Sequence, residues 1–408
     1  MEKQRYHIKL YNQPIAAFDL VRSGRDPWYA CNLEIDPSCR HLLPLNIAAE
    51  PTDDELGRFL GSRRIPKNRA FAQEVLQPYG ISLDDTKGII DITKGTSIND
   101  SYLVLEENDP TTFSECNLFE NDFNVALQIA AYSGVISGDA LRSGGVPSEL
   151  TTSGSFPKAW RIVDGKRMLF KAGDAGPHTS RQLTPFSEHL ASQVANAMGI
   201  NAVTYQLERW RGQICSTCEL MNTKDVSFVS LYSVLTRKQI SRFGLDSALE
   251  FFYAISPETS TAFVSMLTFD SVIANKDRHF GNYGILRENA TGEVIGMAPL
   301  FDHNLALFCD EPDDKLSLEQ LIDAEKRYSS AFGSDLHSQL EDVMEPSQIP
   351  LLERLVDFEF ALDGQYLDTA TGNPNSSEAF PHKRLEALEQ FVRHRASEAL
   401  DRYQREYR

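Results

Sequence analysis

Apolar positions along the chain recur at two spacings, and the switches between them divide it into elements. Residues 8–35 alternate in short segments, Ile8-Lys9-Leu10-Tyr11 and Ile15-Ala16-Ala17-Phe18, around Asn12-Gln13-Pro14, which predicts a small antiparallel element. From Thr52 the spacing of Leu56, Phe59 and Leu60 behind Asp53, Asp54 and Glu55 predicts a capped helix. Residues 96–102 and 117–123 mix polar and aromatic side chains and predict an irregular connection, and residues 143–148 form the clearest linker. Alternation then returns in Trp160-Arg161-Ile162-Val163 and Met168-Leu169-Phe170-Lys171 around Asp164-Gly165, a hairpin. Thr184-Pro185 opens a helix with an N-cap candidate, an apolar face of Leu190, Val194, Ala197 and Met198, and an end at Gly199. Residues 203–207 and 213–218 are strand-like. From Leu245 the pattern is helical, and Ser256-Pro257-Glu258 begins a long amphipathic segment carrying Phe263, Met266, Leu267 and Ile273. A last helix, about Lys383 to Tyr407, has a stripe of Leu385, Leu388, Phe391, Val392 and Leu400 that reads as a core or lobe-packing face.

Composition narrows the class without naming it. The 408 residues suffice for two or three domains, and 41% apolar with 24% charged residues is ordinary for a globular protein. Acids exceed bases by 58 to 40, a net charge of −18, which works against broad contact with nucleic acid or an anionic membrane surface. The basic run Arg63, Arg64, Lys67 and Arg69 therefore reads as a solvated helix junction. No stretch approaches the roughly eighteen apolar residues of a membrane span, and the first seven residues lack a secretory apolar segment. Six cysteines are sparse for this length and fit a reducing, cytoplasmic setting. Cys215-Ser-Thr-Cys218 has no second ligand pair behind it and reads as two ordinary cysteines.

The chemistry gathers in Asn275-Lys276-Asp277-Arg278-His279-Phe280-Gly281-Asn282, followed by Leu300-Phe301-Asp302-His303-Asn304. Phosphoryl transfer needs a carboxylate to orient the attacking hydroxyl and oxygen ligands to hold magnesium against the phosphates. Asp277 suits the first role, and Asn282 and Asp302 offer oxygens suited to a hard cation. A five-residue interval lets one loop present Asp277 and Asn282 to the same place. Upstream, the small-residue loop with Thr151, Thr152, Ser153, Gly154 and Ser155 leads into the hairpin that ends at Lys171, as in a lobe that covers ATP phosphates and reaches them with a cation. Lys158 and Lys166 are rivals, although Lys166 lies in the turn. Glu188 occupies the place of the acid that pairs with such a lysine, or simply favours its helix N-terminus. Glu219-Leu220-Met221 reads as a hinge toward adenine.

The order Asp277-Arg278-His279, with the basic pair after the acid, resembles HipA-like kinases and phosphatidylinositol kinases more than ordinary protein kinases, and the match from Thr151 to Asn304 points to the HipA-like family. These are the kinases found as toxins of bacterial toxin–antitoxin modules. The resemblance implies an α+β, bilobal protein-kinase-like fold, with a small β-rich N-lobe over residues 149–222 and a mainly helical C-lobe over 223–408. Residues 1–142 become an extra N-terminal α/β accessory region. It further implies serine/threonine protein phosphorylation with ATP and Mg2+, through Asp277 as catalytic acid, Asn282 and Asp302 as metal ligands, and Lys171 as the ATP lysine. Gly154, Glu188, Glu219 and His279 complete the cofactor site. Relatives are self-phosphorylated in the small-residue loop, for which Thr151, Thr152, Ser153 and Ser155 are available. One departure is His303-Asn304, where the family often has glycine or serine soon after the last acid. The expected partners are a protein substrate and an antitoxin or DNA-binding protein, with no direct nucleic-acid binding and no membrane. A non-catalytic nucleotide-binding regulator and a lipid or small-molecule kinase are the alternatives.

Overall fold

A computed structural model describes residues 1–24, 26–136, 144–173, 183–312, 316–368 and 379–406. In chain order its main strands are β1 (Glu2–Leu10), β2 (Gln13–Arg22), β3 (Tyr29–Ile35), β4 (Tyr102–Glu106), β5 (Lys158–Val163), β6 (Lys166–Ala172), β7 (Gln206–Trp210), β8 (Gln213–Glu219), β9 (Val226–Ser230) and β10 (Gly284–Glu288). The longer helices are α1 (Asp53–Gly61), α2 (Val125–Ser133), α3 (Thr184–Met198), α4 (Leu245–Ile255), α5 (Pro257–Val272), α6 (Leu318–Glu325), α7 (Leu336–Val343) and α8 (His382–Glu406). They form two compact units that interleave in sequence. One holds Met1–Lys171, Glu219–Arg242 and Gly284–Ile295; the other holds Ala172–Cys218, Phe243–Tyr283 and Gly296–Arg408.

In the first unit an antiparallel sheet has the order β3-β2-β1-β4. Tyr6, Ile8 and Leu10 alternate inward from β1, and Tyr6 lies opposite Phe18 with the two rings stacked at 5.8 Å. Helix α1 closes that face with Leu56, Phe59 and Leu60, and its N-cap Thr52 accepts from the Glu55 amide as the sequence predicts. A second core joins Leu127, Ala130 and Ala131 of α2 to Ile65, Val75, Leu76, Ile89 and Leu150. A third joins Ile98, Leu118, Phe123 and Val146 to Trp160 of β5. The N-terminal residues thus bury the entry to the β5–β6 hairpin. Asp164 and Gly165 turn that hairpin with φ of 51° and 77°, the two-residue geometry whose twist matches the strands. The solvated reading of the basic run is corrected here. Arg63 is buried against Asp100 in a bidentate pair and Arg69 is buried against Glu149, while Lys67 alone forms an exposed pair, with Asp84. A buried guanidinium tolerates this because its fork finds carboxylate and carbonyl oxygens.

In the second unit β7 and β8 form an antiparallel hairpin, and buried Cys215 and Cys218 lie on β8. Helix α3 ends at Gly199 with φ 80°, the left-handed cap. Its N-cap position is Leu183, with no side-chain bond, so Thr184 is the first helical residue rather than the cap. Helix α5 starts at the Ser256 cap, but the expected amphipathic pattern is absent: every residue from Phe263 to Val272 is buried. Its small polar residues survive burial by bonding back, Thr268 to the Val264 carbonyl at 3.1 Å and Ser271 to the Leu267 carbonyl at 3.0 Å. Helices α6, α7 and α8 complete this unit. Among the described residues no helix is long and apolar enough to cross a membrane.

Candidate active site

Helix α5 ends where its own chemistry changes. Asp270 is 1% exposed on an otherwise uncharged buried stretch, and an ionised carboxylate there requires partners. Arg278 supplies them, with Nε and one terminal nitrogen each 2.9 Å from a different Asp270 oxygen. Asn275 adds a third bond, from Nδ2 to Asp270 at 2.9 Å. The other Arg278 nitrogen donates to the Asn282 carbonyl at 2.9 Å and the Phe301 carbonyl at 2.7 Å, and the guanidinium also meets His303 Nδ1 at 3.0 Å. Burial opposes the cation, but the Asp270 carboxylate outweighs it and holds Arg278 above its ordinary value. The basic residue beside Asp277 is therefore a buried hub, not a solvated one.

Around that hub the loop closes on itself. The Asp277 amide donates to Asn275 Oδ1 at 3.2 Å, and Asn282 Nδ2 donates to the Asp277 carbonyl at 3.1 Å. This brings Asp277 and Asn282 together, and it turns the Oδ1 end of the Asn282 amide away from the Asp277 carbonyl. Asp277 is half-buried; His279 is exposed, and its Nδ1 accepts from the Gly281 amide at 3.0 Å. Lys276 pairs with Asp310 outside the loop.

Asp302 is held from both sides by its backbone. Arg278 takes the carbonyl before it, and its own amide donates to the Tyr205 hydroxyl at 3.0 Å. Burial keeps that phenol well above its ordinary value, so it stays a neutral acceptor. Asp302 has φ 59°, and Ala274, Leu307 and Phe308 have φ of 50°, 50° and 52°. Left-handed backbone at non-glycine residues costs about 1–3 kcal/mol each and persists where surrounding bonds over-determine it. The Leu307 amide, for instance, donates to the Ile273 carbonyl at 2.8 Å. Two residues beyond Asp302, Asn304 Oδ1 is buried without a hydrogen-bond partner among the described residues, an oxygen of the kind a hard cation takes. Asn282, Asp302 and Asn304 thus supply side-chain oxygens of the type magnesium takes.

Glu188, fully buried on α3, accepts from the Ser216 hydroxyl of β8. The remaining residues singled out in the sequence lie in the first unit. Lys171 ends its part of β6, 5% exposed, opposite Lys158. Lys158 turns its ammonium to the Ser153 carbonyl at 2.9 Å, and Lys166 is an exposed partner of Glu219 at 2.6 Å. Gly154 adopts φ 91°, which only glycine takes without strain. Thr151 and Thr152 are buried, whereas Ser153 and Ser155 are exposed.

Sequence reasoning missed Asp270 and Tyr205 and the role of Arg278. A signal for Asp270 was present, since one acid inside Met266-Leu267-Thr268-Phe269-Asp270-Ser271-Val272 demands a cation. Tyr205 carried none.

Residues 150–351 match the model of the HipA-like C-terminal domain. The serine/threonine-protein kinase CtkA of Helicobacter pylori is 28% identical over 137 residues, 31% of this chain and 42% of that protein, so the chain spans less than half of the curated relative's length. The crystal structure of H. pylori proinflammatory kinase CtkA covers 61% of this chain and 90% of its own, at 18% identity and a TM-score of 0.46. A chain of the Shewanella oneidensis MR-1 toxin–antitoxin complex of HipA, HipB and operator DNA covers 97% of both chains, at 12% identity and a TM-score of 0.57. That likeness is one of α+β fold, and it runs over the N-terminal region as well. Residues 150–351 thus make the chain a carrier of the HipA-like C-terminal domain.

Proposed function

We propose that this chain is an ATP- and Mg2+-dependent serine/threonine protein kinase of the HipA-like type. The observation that carries the reading is the loop from Asn275 to Asn282, where a half-buried Asp277 shares one hydrogen-bonded frame with Asn282. That frame is anchored by Arg278, which also fixes the backbone entering Asp302. Asp277 orients the acceptor hydroxyl and takes its proton. Asn282 Oδ1 and the Asp302 carboxylate would hold magnesium, which when bound neutralises charge on the ATP phosphates. Lys171, buried on β6, is the lysine this reading assigns to the ATP phosphates, with Lys158 and Lys166 engaged by Ser153 and Glu219. Gly154, Glu188, Glu219 and His279 are the further nucleotide-site residues that the resemblance to the family assigns. Among the loop hydroxyls, exposure favours Ser153 and Ser155 as self-phosphorylated positions. A DNA-binding antitoxin is the partner class suggested by the Shewanella complex.

The test is incubation with magnesium and labelled ATP, wild type beside Asp277→Ala and Asp302→Ala, with mass-spectrometric mapping of phosphate. Loss of a general base costs about 100- to 10,000-fold, so Asp277→Ala abolishes measurable transfer while ATP binding persists. A wild-type protein that binds ATP but transfers no phosphate to itself or to any protein overturns the proposal in favour of a non-catalytic regulator.

A further inference from the structure

Arg69 is remote in sequence from every motif, yet it reaches the small-residue loop at several points. Its side chain and that of Glu149 are both 0% exposed. One terminal nitrogen donates to the Glu149 carbonyl and, at 3.2 Å, to the Thr152 carbonyl. The other donates to Glu149 Oε2 at 2.6 Å and to the Lys158 carbonyl at 3.0 Å. The next residue, Ala70, gives its amide to the Ser155 carbonyl at 2.8 Å. Glu149 in turn accepts from the Trp160 amide at 2.8 Å, which registers the loop against β5. Residues 149–158 are thus tied at four carbonyls from a segment some eighty residues earlier in the chain.

Stability is a poor reason for such a contact. A buried ion pair rarely outperforms apolar packing of similar volume, and here Arg69 Nε is buried with no partner among the described residues, an added desolvation cost. What a planar fork does that an apolar side chain cannot is hold several oxygens at fixed relative positions. We infer that Arg69 is a positioning residue for the small-residue loop: the N-terminal region sets the loop's shape, and with it the grip on ATP phosphates, through this one guanidinium. The inference rests on the nucleotide-loop reading above.

The experiment uses the full chain as wild type, Arg69→Met/Glu149→Met and Arg69→Lys. The double variant leaves no uncompensated buried carboxylate, although it releases the Thr152 and Lys158 carbonyls, and its denaturation midpoint read beside wild type separates positioning from folding. Amide exchange in residues 149–158 then accelerates about tenfold or more, and the KM for ATP rises about tenfold with a smaller change in kcat, as expected when a binding group is misplaced. Arg69→Lys keeps the charge but not the fork, and it shows the same KM defect. Unchanged exchange in the double variant overturns the clamp. Faster exchange with unchanged KM, or full rescue by lysine, overturns positioning by the fork. A wild-type protein that binds no ATP refutes the proposed function instead, and the exchange measurement still decides whether Arg69 shapes the loop.

Discussion

The two arginines that organise this molecule solve the same problem at opposite ranges. Arg278 joins a carboxylate eight residues before it to the carbonyls of Asn282 and Phe301, all within one unit and mostly within one motif. Arg69 joins a carboxylate eighty residues after it to carbonyls spread over residues 149–158. Both are buried, both satisfy a carboxylate and backbone oxygens together, and both stand beside a loop that carries candidate chemistry. The difference is legibility. Arg278 sits inside a recognisable spacing, whereas Arg69 sits in a basic run that local pattern alone reads as solvent-facing. Burial of a charge is decided by where its partner lies, and sequence separation hides the partner.

The equivalence is tested most strongly by removing one member of each pair. Arg278→Met leaves Asp270 buried and uncompensated, and Arg69→Met does the same to Glu149; each lowers unfolding free energy by about 3–5 kcal/mol in urea titration. A cost below about 1 kcal/mol for Arg69→Met, with the full cost for Arg278→Met, breaks the parallel.

A third buried pair sharpens it by being less well satisfied. Arg395 meets Glu325 at 3.0 Å, but Glu398 and Asp335 also face that carboxyl, and burial pushes it up to about 7. A carboxyl raised in the folded state contributes stability that is full below its ordinary value near 4.5 and is lost as pH climbs through about 7. Between pH 5 and 8 the wild-type Tm therefore falls a few degrees further than that of Glu325→Gln in a calorimetric pH series. Parallel curves for the two proteins would mean that Glu325 is already ionised at pH 5.

The smallest effect comes from the same basic run as Arg69. Lys67 and Asp84 are 65% and 72% exposed, so Lys67→Ala costs less than about 1 kcal/mol and loses even that in high salt. A larger cost would show that the run acts as a unit rather than through Arg69 and Arg63.

Much of the site was legible because its signals are short-range. Asp277, Asn282 and Asp302 could be chosen by residue type and spacing, and the Asp164-Gly165 hairpin and the Thr52 and Ser256 caps follow from local backbone chemistry. Helix α5 was legible as a helix but not as a buried one, since Thr268 and Ser271 look solvent-facing until their hydroxyls bond back to the helix.

By itself the sequence determined the Asp164-Gly165 hairpin, the helices opened at Thr52 and Ser256, and the acid and amide spacing of the Asp277 loop, because each depends on residues within a few positions of one another. Tertiary structure alone decided that Arg278 is a hub, that Tyr205 holds the Asp302 amide, and that Arg69 reaches residues 149–158. Those outcomes depend on which distant carboxylates and carbonyls are withdrawn from water together, and a buried charge takes its meaning from the oxygens that surround it.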